Sequence, residues 1–215
     1  METKKILISN KEIVFLYIIF FVGIIGHLTA QLRDLMLLLT PATLLLTGLI
    51  VLFYAYRTSA NKFLLWVALT YVFTFILEVV GVKTGVIFGE YNYGPTLGVK
   101  LLAVPLIIGF NWVLVILGSI SISRLITKNF FLSALITALI ALIFDLLLEP
   151  VAIKINYWTW NDGIKKKKNY VTWFLIALIS ALAFSYFKVD VRSKISLHYL
   201  LVQFLFFVIL LIFYR

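Results

Sequence analysis

The sequence predicts an all-α, polytopic membrane protein with about seven transmembrane helices in a single bundle. Of its 215 residues, 63% are hydrophobic and only 13% are charged. A soluble domain is nearer half apolar, with about 25% charged residues. Mean hydropathy is +1.10. Seven separate stretches are apolar enough to cross a bilayer core, which takes about 20 residues each.

The predicted spans are Ile13–Leu28, Leu35–Ala55, Phe63–Val82, Leu101–Ile122, Phe130–Glu149, Val171–Phe187 and Ile195–Phe213. All are read as helices, because no alternating strand pattern occurs and lipid permits no open sheet edge. They form one integral-membrane helical domain over residues 1–215. The opening METKKILISNKE lacks a small-residue cleavage site after a short apolar core, so the first span reads as retained. The expected location is a membrane, the inner membrane of a bacterial cell.

Composition excludes several functions. There is no cysteine, so disulfides and thiolate metal sites are ruled out. Two histidines, His27 and His198, are too few for a histidine-rich di-iron oxygenase. No metal or other cofactor is expected. The net charge of +10 lies in short loops and tails. It suits contact with anionic lipid headgroups and not nucleic acid. Nothing in the sequence fixes an oligomeric state.

Seven spans place the termini on opposite sides, here A for the N-terminal side and B for the other. Basic residues divide almost evenly between the sides, so the positive-inside rule does not decide strongly. Their spread over every connection of side A points to that side as cytoplasmic. Acids divide more usefully. Asp34, Glu78, Glu90, Asp145, Glu149 and Asp162 all fall on side B, with the two long connections Lys83–Lys100 and Pro150–Tyr170. Long connections in a compact domain are more often functional than short ones.

Asp145 and Glu149 lie at the end of the fifth span with i, i+4 spacing, which puts both on one helix face. Pro150 follows and marks a helix end. An aromatic connection with Tyr157, Trp158 and Trp160 comes next, then Asn161, Asp162 and Gly163. Buried intramembrane acids are costly and need a reason. A second region runs from Glu78 through Tyr91, Tyr93 and Pro105 to Asn111 and Trp112. Glu78-Val-Val-Gly-Val-Lys83 and Glu149-Pro-Val-Ala-Ile-Lys154 share the pattern E-x-V-x-[VI]-K. Third and fifth spans run the same way, so this would be a parallel repeat. Chance similarity of two apolar segments is the competing reading.

The order Glu78, Thr84-Gly85, Phe88-Gly89, Tyr91, Tyr93, Leu97-Gly98, Val104-Pro105 and Trp112 resembles the carotenoid 1,2-hydratase family, within a wider group of carotenoid-biosynthesis membrane proteins. Asp145, Leu148-Glu149-Pro150, Trp158, Trp160, Gly163, Asn169-Tyr170 and Trp173-Phe174 resemble its second signature. The Lys165–Lys168 run departs from the more aromatic or proline-containing loop expected there. The resemblance implies an acyclic carotenoid as substrate and water addition to its terminal double bond.

That reaction needs a proton donor, a dry pocket that tolerates a cation, and one positioned water. It requires no metal or redox cofactor. Burial disfavours a charged carboxylate, and two close carboxylates do not both ionise easily. Asp145 and Glu149 therefore suit the donor role. Asp145 is the first choice, since it lies about one helical turn deeper. Glu149 would hold the water or share the proton, and Glu78 would complete the polar end of the pocket. The bland alternative is a structural pair held by Lys83, Lys154 or Arg33. Faces of Tyr91, Tyr93, Trp112, Trp158 and Trp160 would stabilise a cation, or the rings form an interfacial belt. Asn111 either holds a water or bonds a neighbouring helix. His27 reads as a polar helix end, and His198 and Gln203 as packing residues.

Competing functions are weaker. A retinal receptor needs a lysine in its last span, and Ile195–Phe213 has none. A prenyl transferase needs a second acidic cluster, and Glu78 stands alone. A non-enzymatic carotenoid or lipid binder, or another isoprenoid-modifying membrane enzyme, remains the alternative. The substrate reading calls for an elongated apolar pocket that opens between helices and ends at the acids.

Overall fold

The computed structural model describes residues 10–59, 62–161, 167–191 and 193–214. Seven helices occur among them: α1 Asn10–Leu28, α2 Ala30–Arg57, α3 Phe63–Thr84, α4 Leu106–Ile126, α5 Phe130–Lys154, α6 Lys167–Tyr186 and α7 Ile195–Phe213. Each is long and apolar enough to cross a membrane. Asp162, Gly163, Lys165, Lys166 and the N-terminal tail lie outside the described residues.

Burial separates centre from rim. The α4 span is 67% buried, against 28% for α1 and 22% for α2. α4 packs on α2, α3, α5 and α7, while α6 packs chiefly on α5. Buried polar side chains tie the centre together, as expected where lipid gives helices no hydrophobic reason to associate. The Ser123 and Ser133 hydroxyls of α4 and α5 are 2.8 Å apart, and Thr137 donates to Ser123 at 3.0 Å. Trp66 Nε1 of α3 donates to the Ser180 carbonyl of α6 at 2.9 Å.

Three sequence expectations are corrected. Pro150 does not end its helix: α5 continues to Lys154, and proline, lacking an N–H, makes no bond back to the Leu146 carbonyl. Glu149 is therefore not in the last turn, and the negative helix end lies beyond it. α2 begins at Ala30, so the expected connection Thr29–Asp34 shrinks to the single residue Thr29. The fourth helix begins at Leu106, because Lys100–Leu101 (β2) and Val104–Pro105 (β3) form a small antiparallel ribbon instead.

A second ribbon organises side B. Tyr91–Tyr93 (β1) pairs antiparallel with Trp158–Trp160 (β4), in the register Tyr91 with Trp160 and Tyr93 with Trp158. The long connections thus meet each other. Gly94 N–H donates to the Tyr157 carbonyl at 2.8 Å, and Thr96 Oγ1 donates to the Ile155 carbonyl at 3.0 Å. Gly94 permits this approach, since a Cβ there would lie 2.0 Å from the Asn156 carbonyl oxygen.

Candidate functional site

In a strand, residues two apart share a face. Tyr91 and Tyr93 therefore point one way with Trp158 and Trp160, and Asn92 and Thr159 point the other. Asn92 and Thr159 are exposed, and Asn92 Nδ2 donates to Asn161 Oδ1 at 2.7 Å. The four rings turn inward over the bundle. Tyr91 lies 5.3 Å from Trp160 between ring centres, and Tyr93 lies 6.2 Å from Trp158. Below them Trp112 of α4 stacks on Trp173 of α6 at 3.8 Å.

The acids hold this box. Glu78 is only 4% exposed. Its Oε2 accepts from the Tyr91 hydroxyl at 2.5 Å and the Tyr93 hydroxyl at 2.7 Å. Its Oε1 accepts from Trp112 Nε1 at 2.8 Å. Glu149, also buried, accepts from Trp160 Nε1 at 2.8 Å and the Tyr170 hydroxyl at 2.7 Å. Neither glutamate forms an ion pair among the described residues. Asp145 is fully buried, and its Oδ2 accepts from Asn169 Nδ2 at 2.9 Å. Outside the spans, burial and the neighbouring Glu78 push the Tyr91 and Tyr93 phenols well above the ordinary tyrosine range, so both stay hydrogen-bond donors.

A cavity of about 340 Å³ lies beneath the ribbon. Glu78 and Asp145 line it together, with Tyr91, Tyr93, Asn111, Trp112, Trp158 and Trp160. Glu149 is not in its wall: Trp160 and Tyr170 stand on that carboxyl. The i, i+4 acids thus divide, one facing the cavity and one bracing β4. The cavity wall also includes residues that the sequence left aside as packing or helix ends. His27 Nδ1 meets the Gly23 carbonyl at 2.7 Å and must donate there, so the Nε2 of a neutral ring is left as an acceptor. The Nε2 atoms of His27 and Gln203 and the Oδ1 of Asn111 are buried without a hydrogen-bond partner among the described residues.

Trp173 and Asn169 were not singled out as site residues by sequence. A signal existed, since their i, i+4 spacing places both on one face of α6. The two short strands were not read from the sequence, although Tyr-Asn-Tyr and Trp-Thr-Trp each alternate with the strand period of two.

Comparison with known proteins bears on this site. The family model described as carotenoid biosynthesis protein matches residues 39–215. A bisanhydrobacterioruberin hydratase from Haloarcula japonica is 32% identical over 135 residues, covering 56% of this chain and 43% of that protein. No solved structure matches the chain.

Proposed function

Because the chain belongs to the carotenoid biosynthesis protein family, we propose that it is a hydratase that adds water to the terminal 1,2 double bond of an acyclic carotenoid by acid catalysis. The observation that carries this reading is Asp145, a fully buried carboxyl in the wall of an aromatic cavity. The hydratase named above supports the reaction class.

The proposed steps use groups that line the cavity. The Asp145 carboxyl gives its proton to the less substituted carbon of the terminal double bond. A tertiary cation forms at the other carbon. The rings of Trp112, Trp173, Tyr91 and Trp160 line the cavity and stabilise the cation through their π systems. The buried Asn111 Oδ1 accepts a hydrogen bond from one water. That water attacks the cation and returns a proton to the Asp145 carboxylate. The sum is one water added, with no change in the protein and no need for a redox partner. Glu78 and Glu149 fix the rings and do not deliver the proton.

The test is pigment analysis of cells that make an acyclic carotenoid such as lycopene, with and without this protein. A tertiary 1-hydroxy product should appear only with the protein. Unchanged pigment, with the protein present in the membrane, would reject the reading. A binder without turnover would hold the pigment and leave it unhydrated.

A further inference from the structure

We propose that the ligand reaches the cavity sideways from the lipid, through a gap between α1 and α2, and that its apolar chain remains in this gap while its end group lies at Asp145. The inference deepens the reading above and takes from it only the long acyclic chain.

Nearly all of the described cavity wall is buried or half-buried. The exposed residues are confined to Ile18 and Val22 of α1 and Leu39 of α2, at 56%, 54% and 43%. Ile18 and Val22 are one turn apart on α1. Leu39, Met36 and Thr43 form the matching face of α2 and also line the cavity. All three exposed side chains are aliphatic, so this opening suits lipid and not water.

The two helices are tied at both ends. On side A the Tyr54 hydroxyl of α2 donates to the Glu12 carboxylate of α1. On side B only Thr29 separates them. The opening at Ile18, Val22 and Leu39 lies between the two ties. Gly26 lets α1 press on Met36, where a Cβ would lie 2.4 Å from Met36 Cγ. On side B the paired strands roof the cavity with Tyr91, Tyr93, Trp158 and Trp160. The gap therefore faces the bilayer interior.

Size names the occupant. A cavity of about 340 Å³ sits near the low end of small-molecule sites, about 300–1,000 Å³. It does not enclose a polyene about as long as the hydrocarbon core, ~30 Å. Most of such a chain must project. Through the gap it stays in hydrocarbon. Through the side B roof it would enter headgroups and water, which apolar surface avoids.

The chain has no native cysteine, so single probes are clean. Val22→Cys and Leu69→Cys are each labelled with a small fluorophore in the full-length protein, in phosphatidylcholine vesicles. Leu69 is a control: it is 48% exposed on α3 and absent from the cavity wall. Lycopene, which quenches by proximity, is then titrated in. Quenching at position 22 should appear at several-fold lower lycopene than at position 69, where only pigment dissolved in the bilayer contributes. Equal quenching at both positions would overturn the proposal. This readout needs binding and no turnover, so it separates failure of the gap from failure of hydration. Where wild type hydrates lycopene, an Ile18→Cys/Leu39→Cys pair joined by a short cleavable cross-linker should lose turnover and regain it on cleavage. Turnover unaffected by the cross-link would also overturn the proposal.

Discussion

Glu78 and Glu149 each stand near the side B end of a helix that opens a long aromatic connection. In one segment α3 leads through β1 to α4, and in the other α5 leads through β4 to α6. The two strands pair with each other, and Trp112 of the first segment stacks on Trp173 of the second. Each glutamate accepts from a ring of its own strand. The segments differ one turn earlier. Thr74 precedes Glu78 there, and its hydroxyl is spent on the Thr70 carbonyl at 2.9 Å. Asp145 precedes Glu149 and faces the cavity. Two similar scaffolds thus hold the aromatic box, and the second alone places an acid in the cavity wall at the earlier position. On this comparison a buried acid with several ring donors is a brace, and the acid one turn deeper is the candidate donor.

The largest effect should come from breaking that asymmetry. Asp145→Asn should cost about 10²–10⁴-fold in hydration rate, the range for a lost general acid. The protein should still accumulate in the membrane, because Asn keeps an oxygen to accept from Asn169. Thr74→Val, the matching change in the first segment, should leave the rate nearly intact. Pigment conversion per unit of membrane protein measures both.

Changes to the braces should act mainly on stability. Glu78→Gln sets an amide N–H₂ against donors from Tyr91, Tyr93 and Trp112, and each unmet buried group costs about 1–3 kcal/mol. Thermal unfolding in detergent should shift downward clearly. Glu149→Gln faces two donors, not three, and should shift it less. If Glu149→Gln slowed turnover as much as Asp145→Asn with no loss of stability, the division into brace and donor would be wrong.

Tyr93→Phe should be milder, at about 0.5–1.5 kcal/mol for one hydrogen bond, because Glu78 keeps Tyr91 and Trp112. The smallest effect concerns pH. The folded state raises the Tyr91 and Tyr93 phenols and so holds their protons more tightly than the unfolded chain. Their contribution should be intact below the ordinary tyrosine value of about 10 and should decline only as pH rises beyond it. Ultraviolet titration of tyrosinate should show a set of phenols that ionise together with unfolding. Early ionisation of all tyrosines in the folded protein would contradict their burial.

Much of the fold was legible because a membrane span is a strong compositional signal. The run Ile195–Phe213 has the same ends in sequence and structure. Helix ends were less legible. Pro150 forbids one N–H bond but not the following turn, so a local rule misplaced the end of α5. The second ribbon was missed for a different reason. Tyr91–Tyr93 and Trp158–Trp160 are three residues each, and their pairing is a contact between distant segments. The candidate aromatic residues line one cavity, yet the common face of the four on the ribbon follows only from that pairing. The spacing puts Asp145 one turn deeper and makes it the first choice as donor, but i, i+4 also predicts one face for both acids and so places Glu149 in the same pocket. What divides them is the closure of Trp160 and Tyr170 over Glu149 alone.

The most direct measurement combines an isotope with one variant. Membranes carrying the wild type or Asp145→Asn receive an acyclic carotenoid in ¹⁸O-labelled water under ordinary O₂, and the products are weighed by mass spectrometry. The expected result is a tertiary alcohol carrying ¹⁸O from the wild type, and unhydrated carotenoid from Asp145→Asn. Unlabelled oxygen in the wild-type product, or labelled alcohol formed by Asp145→Asn at the wild-type rate, would contradict hydration by this cavity-facing acid.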